Sequence, residues 1–152
     1  MQHWQSIERR EADGTLSTEQ RIRLAAPVVP VSEEGARRLS RLYWDEVARA
    51  TRAVVRRREA DGRVELLPRV GRRALLRLGP AELTVGDGAV SASHAIEGGF
   101  LSGGPGGSIT FEQRDGVLRC AVEGFRASRW YGRLQARIHV GISRRYFRRL
   151  LP

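Results

Sequence analysis

The chain has 152 residues and a formal charge of +10, and all 27 of its basic residues are arginine; Lys and Asn are absent. At that length one domain buries about 68–70% of its unfolded surface, and 41% hydrophobic with 29% charged residues excludes a disordered chain. No apolar run approaches the ~20 residues of a membrane-spanning helix, and the lone Cys120 excludes an intramolecular disulfide or a Cys-based zinc site.

Arg, Ala and Gly have GC-rich codons, whereas Lys and Asn have A-rich ones. The arginine usage therefore reads first as that of a bacterial, GC-rich genome and only second as selection for a polyanion. Residues 1–10 are polar and reach Glu8 before any hydrophobic block, unlike a signal peptide. The expectation is a cytoplasmic protein with 1–152 as a single domain, and with 1–14 as an N-terminal arm or an extra strand.

Leu16, Thr18, Gln20, Ile22 and Leu24 alternate with polar residues, the period of a strand with one buried face. Pro27 and Pro30 end it. Ser32 caps a helix whose stripe is Leu39, Leu42, Tyr43, Val47, Ala50 and Val54. Arg56, Arg57 and Arg58 suit its negative C-terminal end, and Asp61-Gly62 stops it. Asp-Gly pairs at 13–14, 61–62, 87–88 and 115–116 each mark a turn or a helix stop. From 64 to 126 consecutive strands follow at 64–70, 73–78, 81–85, 89–97, 108–113 and 117–125, an antiparallel meander. A last helix is expected from about Arg129 to Leu151, capped by Ser128, with Trp130, Leu134, Ile138, Ile142, Tyr146 and Leu150 as its apolar stripe.

This order of strand, helix, six strands and long C-terminal helix resembles the helix-grip fold of the START-like superfamily, which includes plant allergens, lipid-transfer domains and polyketide cyclases. The resemblance covers residues 15–151. It implies an α+β fold in which a curved antiparallel sheet of about six to seven strands wraps a long C-terminal helix around an apolar cavity. Most members carry two short helices after the first strand. One long helix is expected here, and it would narrow or fill such a cavity.

The cavity would be lined by Leu16, Ile22, Leu76, Leu83, His94, Ile96, Phe111, Leu118, Val122, Leu134 and Ile138. His94 lies on the alternation Val90, Ala92, His94, Ile96, facing the apolar side, either as a core histidine or as a general base. Thr18 and Gln20 are candidates to orient a ligand. The glycine-rich run 98–107 has neither a Walker pattern nor a helix after it. It reads as a hairpin connection, or as a lid with Phe100 and Leu101 as hydrophobic tips. Cys120 packs inward as a small hydrophobe. No metal and no cofactor is expected.

Three functions fit these residues. The first is binding of a small hydrophobic molecule between sheet and C-terminal helix. The second is a cyclase or dehydratase acting on a polyketide-like substrate. The third is a surface binder of anionic membrane or nucleic acid through Arg133, Arg137, Arg144, Arg145 and Arg148.

Overall fold

The alternation at the start of the chain builds a hairpin. In the computed structural model, which describes residues 3–52, 54–129, 131 and 134–152, β1 (Trp4–Arg10) pairs antiparallel with β2 (Leu16–Arg23), Trp4 opposite Ile22. Trp4–Arg10 thus forms an edge strand of the sheet. At the turn between them, Asp13 accepts bonds from the Thr15 N–H (2.9 Å) and hydroxyl (2.7 Å). Leu16, Thr18, Gln20 and Ile22 are all buried on one face of β2.

Helix α1 (Glu33–Ala50) starts where its cap dictates, with the Gly35 N–H donating to Ser32 Oγ at 3.1 Å. It ends eleven residues before Asp61, because Thr51 Oγ1 donates to the Val47 carbonyl and Arg52 turns left-handed (φ 51°). The helix expected to reach 61 therefore stops at Ala50, and the segment after it becomes β3 (Val55–Ala60), paired with β4 (Arg63–Pro68). Asp61 and Gly62, at φ 53° and 75°, are the hairpin turn between these strands, not a helix stop. Two successive positive φ values match the right-handed strand twist, and Asp87-Gly88 and Asp115-Gly116 repeat the device.

The remaining elements are β5 (Leu76–Leu78), β6 (Glu82–Gly86), β7 (Ala89–Gly98), β8 (Ser108–Arg114), β9 (Val117–Phe125) and α2 (Gln135–Leu150). The described residues form nine antiparallel strands in the order β1-β2-β9-β8-β7-β5-β4-β3, with β6 also paired to β7. The count exceeds the expected six to seven because β1 and β3 add to the meander. β7 is long enough to hold two neighbours on one edge: Ala89 to Ser93 pair with β6, and Ile96 and Gly98 with β5. Between them the chain corners at Gly79-Pro80, where the Gly79 N–H donates to the Ala95 carbonyl at 2.8 Å. The wing β3–β4–β5 continues the sheet from there.

Both helices cover this sheet. α1 packs on β6, β7, β8 and β3, while α2 lies against β2 and alongside α1. Tyr43 and Trp44 of α1, Phe111 of β8 and Tyr146 of α2 form an aromatic cluster, with Tyr43 and Phe111 centroids 4.7 Å apart and Tyr43 and Tyr146 5.4 Å apart. The result is an α+β, helix-grip-like arrangement. No helix among the described residues is long and apolar enough to cross a membrane.

α2 begins at Gln135 rather than Arg129, and Leu134 at its cap position makes no side-chain capping bond. Trp130, Gly132 and Arg133 lie outside the described residues. The buried face of α2 runs through Gln135, His139, Ile142, Ser143, Tyr146, Phe147 and Leu150. It is rotated from the expected stripe, so Ile142, Tyr146 and Leu150 point inward while Leu134 and Ile138 are exposed at 46% and 41%.

Candidate functional site

The aromatic cluster fills the interior under β8, but the space between the wing and the two helices stays open. It is a cavity of about 330 Å³, at the small end of the ~300–1,000 Å³ typical of small-molecule sites. Leu66, Leu75, Leu76 and Leu78 come from the wing and its connection, Ile96, Ile109, Val122 and Phe125 from the sheet floor. Tyr43, Trp44, Val47 and Thr51 close it from α1, and Leu134, Gln135, Ile138, His139 and Ile142 from α2. The wall is almost wholly apolar because alternation presents the inward residues of every contributing strand.

Polarity is confined to the helix side. His139 and Gln135 are one helical turn apart, both buried. His139 Nδ1 shares a hydrogen bond of 3.2 Å with the Tyr43 hydroxyl. Burial pushes the His139 imidazole down to about 4, with the Cys120 backbone opposing part of the shift, and burial also raises Tyr43 well above the phenol range. Both groups are therefore neutral near pH 7. His139 Nε2 and Gln135 Oε1 are buried without a hydrogen-bond partner, and so is Tyr146 Oη further along the same helix face. Unpaired buried groups each cost about 1–3 kcal/mol.

His94 stands elsewhere. It is buried on β7 and is not in the cavity wall. Its Nδ1 lies 2.9 Å from the Gly79 carbonyl, which can only accept, so Nδ1 carries the proton. Nε2 then accepts from the Ser40 hydroxyl at 2.7 Å, and Ser40 Oγ accepts from the Trp44 indole N–H at 3.1 Å. Every member of this relay is satisfied, and it ties α1 to the sheet beside the β5–β6 corner. Burial lowers the His94 pKa, while the bond to Gly79 and the charge of Glu59 oppose the shift.

The other residues singled out in the sequence divide between wall and core. Leu101, Leu134 and Ile138 stand in the cavity wall. Phe111 is fully buried in the aromatic cluster beside it. Thr18 and Gln20 are buried on β2 outside the cavity; the Gln20 amide donates to Ser6 Oγ at 2.8 Å, and Thr18 Oγ1 and Gln20 Oε1 have no partner. Phe100 is 43% exposed, under the Arg73 guanidinium at 5.1 Å from its ring centroid. Cys120 is buried, and desolvation pushes its thiol up to about 12.

The glycine-rich run is stitched down along its length. Phe100 and Leu101 N–H groups donate to the Ala74 and Leu75 carbonyls, Gly103 to Arg126, and Gly106 to Ile96. A Cβ at Gly99 would sit 2.5 Å from the Leu75 oxygen, so only glycine permits this close passage. Leu101 is thereby fixed in the cavity wall.

Arg137, Arg144, Arg145 and Arg148 are exposed along the outer side of α2, and Arg144 also lies over the Trp4 ring at 5.4 Å. None of the four has a carboxylate partner among the described residues. Nor do those residues hold any group of three His, Cys, Asp or Glu side chains placed to bind a metal ion.

Sequence reasoning missed Tyr43, Gln135 and His139 as cavity residues. The available signal was the polar spacing Gln135, His139, Ser143, which shares a helix face with Ile142 and Tyr146.

No family model matches the chain, and no curated protein matches it. Among solved structures it is similar to CalU16 from Micromonospora echinospora, at 15% sequence identity and a TM-score of 0.29, covering 97% of this chain and 90% of that one.

Proposed function

We propose that this protein binds a small, largely apolar molecule with one hydrogen-bonding end, in the cavity between the β3–β5 wing and the two helices. The observation that carries the reading is the wall itself. An apolar space of about 330 Å³ meets two buried polar side chains at one end, Gln135 and His139, each with one atom, Gln135 Oε1 and His139 Nε2, that has no hydrogen-bond partner. A solid core would have collapsed onto that volume, since each unfilled methyl-sized gap costs about 1 kcal/mol. An occupant hiding about 300 Å² of apolar surface gains about 7 kcal/mol at about 25 cal/mol per Å², before the costs of association. A hydroxyl or amide on that occupant pairs with Gln135 or His139 and fixes its orientation. A carboxylate is a poorer fit, because His139 stays neutral and no cation stands in the wall among the described residues.

Native mass spectrometry of protein purified from its own host tests this reading. The expected result is a retained small molecule that is lost in Leu76→Trp, a substitution that fills the wall. Wild-type protein that carries no small molecule and takes up none from a panel of apolar alcohols contradicts it.

A further inference from the structure

Charge is distributed unevenly around the cavity. Four segments supply most of the described wall residues: 47–58, 66–81, 98–111 and 124–142. Together they contain thirteen of the 27 arginines and none of the 17 carboxylates, with Glu46, Glu59, Glu65, Glu82, Glu97, Glu112 and Glu123 next to their ends. Only Arg57 and Arg58 in these segments form ion pairs among the described residues, with Asp45, Glu59 and Glu65.

Exposed apolar side chains gather at the same place. Of the seven large ones among the described residues, Leu134 and Ile138 are themselves in the wall, and Val54 (60% exposed) and Phe100 adjoin the wall residues Val55 and Leu101. Val70, 88% exposed, follows Arg69, whose N–H donates to the Val54 carbonyl at 2.7 Å. Arg52, Arg69, Arg72, Arg73 and Arg137 are interleaved with these five in the chain and are all exposed. Neither a crowded core nor an ion-pair network accounts for isolated valines and arginines presented side by side.

We infer that the cavity mouth is a docking surface for an anionic lipid bilayer, from which the occupant enters or to which it is delivered. The inference rests on the cavity-binding reading and adds a partner to it. Apolar tips gain by entering the acyl boundary, and each arginine near an anionic headgroup layer adds favourable electrostatics. The exposed apolar tips favour a bilayer over nucleic acid, which rewards arginines but offers phosphate-lined surfaces little reason to face Val54, Val70 and Ile138.

The test is flotation of the full chain with vesicles of phosphatidylcholine alone and of phosphatidylcholine mixed equally with phosphatidylglycerol. Uptake of an apolar fluorescent alcohol in the absence of vesicles is measured on the same proteins. Binding to the mixed vesicles only is expected. It should weaken about five-fold for each of Arg69→Gln, Arg72→Gln and Arg73→Gln, and fall further in Val70→Asp and Ile138→Asp. Alcohol uptake in the arginine variants should match wild type, which separates loss of docking from loss of the cavity. Three results overturn the docking surface while leaving cavity binding to stand or fall on the alcohol uptake. They are no preference for the anionic vesicles, binding lost only in Arg144→Gln/Arg145→Gln/Arg148→Gln, and preferential binding of duplex DNA.

Discussion

Replacing His139 with Phe should remove a large part of the protein's acid sensitivity. In the folded protein burial holds the imidazole at about 4, against 6.5 for an exposed histidine. The unfolded chain therefore takes up a proton at His139 as pH falls below 6.5, and the folded chain does not until about 4. Stability contributed by the neutral, buried ring is present in full above 6.5, is lost progressively between 6.5 and 4, and changes no further below that. At about 1.36 kcal/mol per pK unit the loss comes to about 3 kcal/mol, a large share of the 5–15 kcal/mol that holds a typical domain folded. His94, whose pKa is also lowered by burial, acts in the same direction and stays in both proteins. The carboxylates are common to both as well, so the difference between the two pH profiles isolates His139. Urea unfolding followed by tryptophan fluorescence, at intervals from pH 7 to 4.5, measures it. The wild type should lose about 2 kcal/mol more than His139→Phe across that range. Parallel profiles would refute the burial of a neutral imidazole at this position.

Ser40→Ala removes the hydroxyl that His94 Nε2 and the Trp44 N–H both use; urea unfolding should show a loss of about 1–3 kcal/mol, with cavity binding unchanged. Phe111→Ala should cost about 3–5 kcal/mol, because its ring is fully buried in the aromatic cluster. Leu101→Ala should cost well under half of that by the same measurement, since its side chain borders open space and is only half-buried. Gly99→Ala should be far more damaging than either neighbour's replacement, because its Cβ would meet the Leu75 carbonyl at 2.5 Å in a left-handed backbone; thermal unfolding reports it.

The strands with one buried face were legible because period-two alternation survives in β2, β7, β8 and β9. The start of α1 was legible from Ser32. Its end was not: the residue that turns left-handed is Arg52, where glycine is the usual signal, and three arginines on β3 imitate a helix C-terminus. β-branched Val54 and Val55 were the contrary cue. For α2, Leu134 and Ile138 outweigh Gln135 and His139 in any hydrophobicity pattern, yet the polar pair is buried and the apolar pair lies at the cavity rim. Five of the eleven residues expected in the lining stand in the wall, Leu76, Ile96 and Val122 from the floor and wing and Leu134 and Ile138 from the start of α2, while that inversion hid the polar end. Leu16, Ile22 and Leu118 alternate as cleanly as those residues, but they are buried elsewhere on the sheet, Ile22 and Leu118 within the packed core. Only the packing of helix on sheet decides where a void remains.

The central claim is that the apolar space takes up a ligand. Trp44 borders it, so titrating an apolar alcohol into wild type and Leu76→Trp while following fluorescence, at low and high salt, tests it most directly. Saturable binding to wild type that is nearly independent of salt and abolished by Leu76→Trp is the predicted result. Binding that persists in the filled variant, or that collapses with salt, would contradict it.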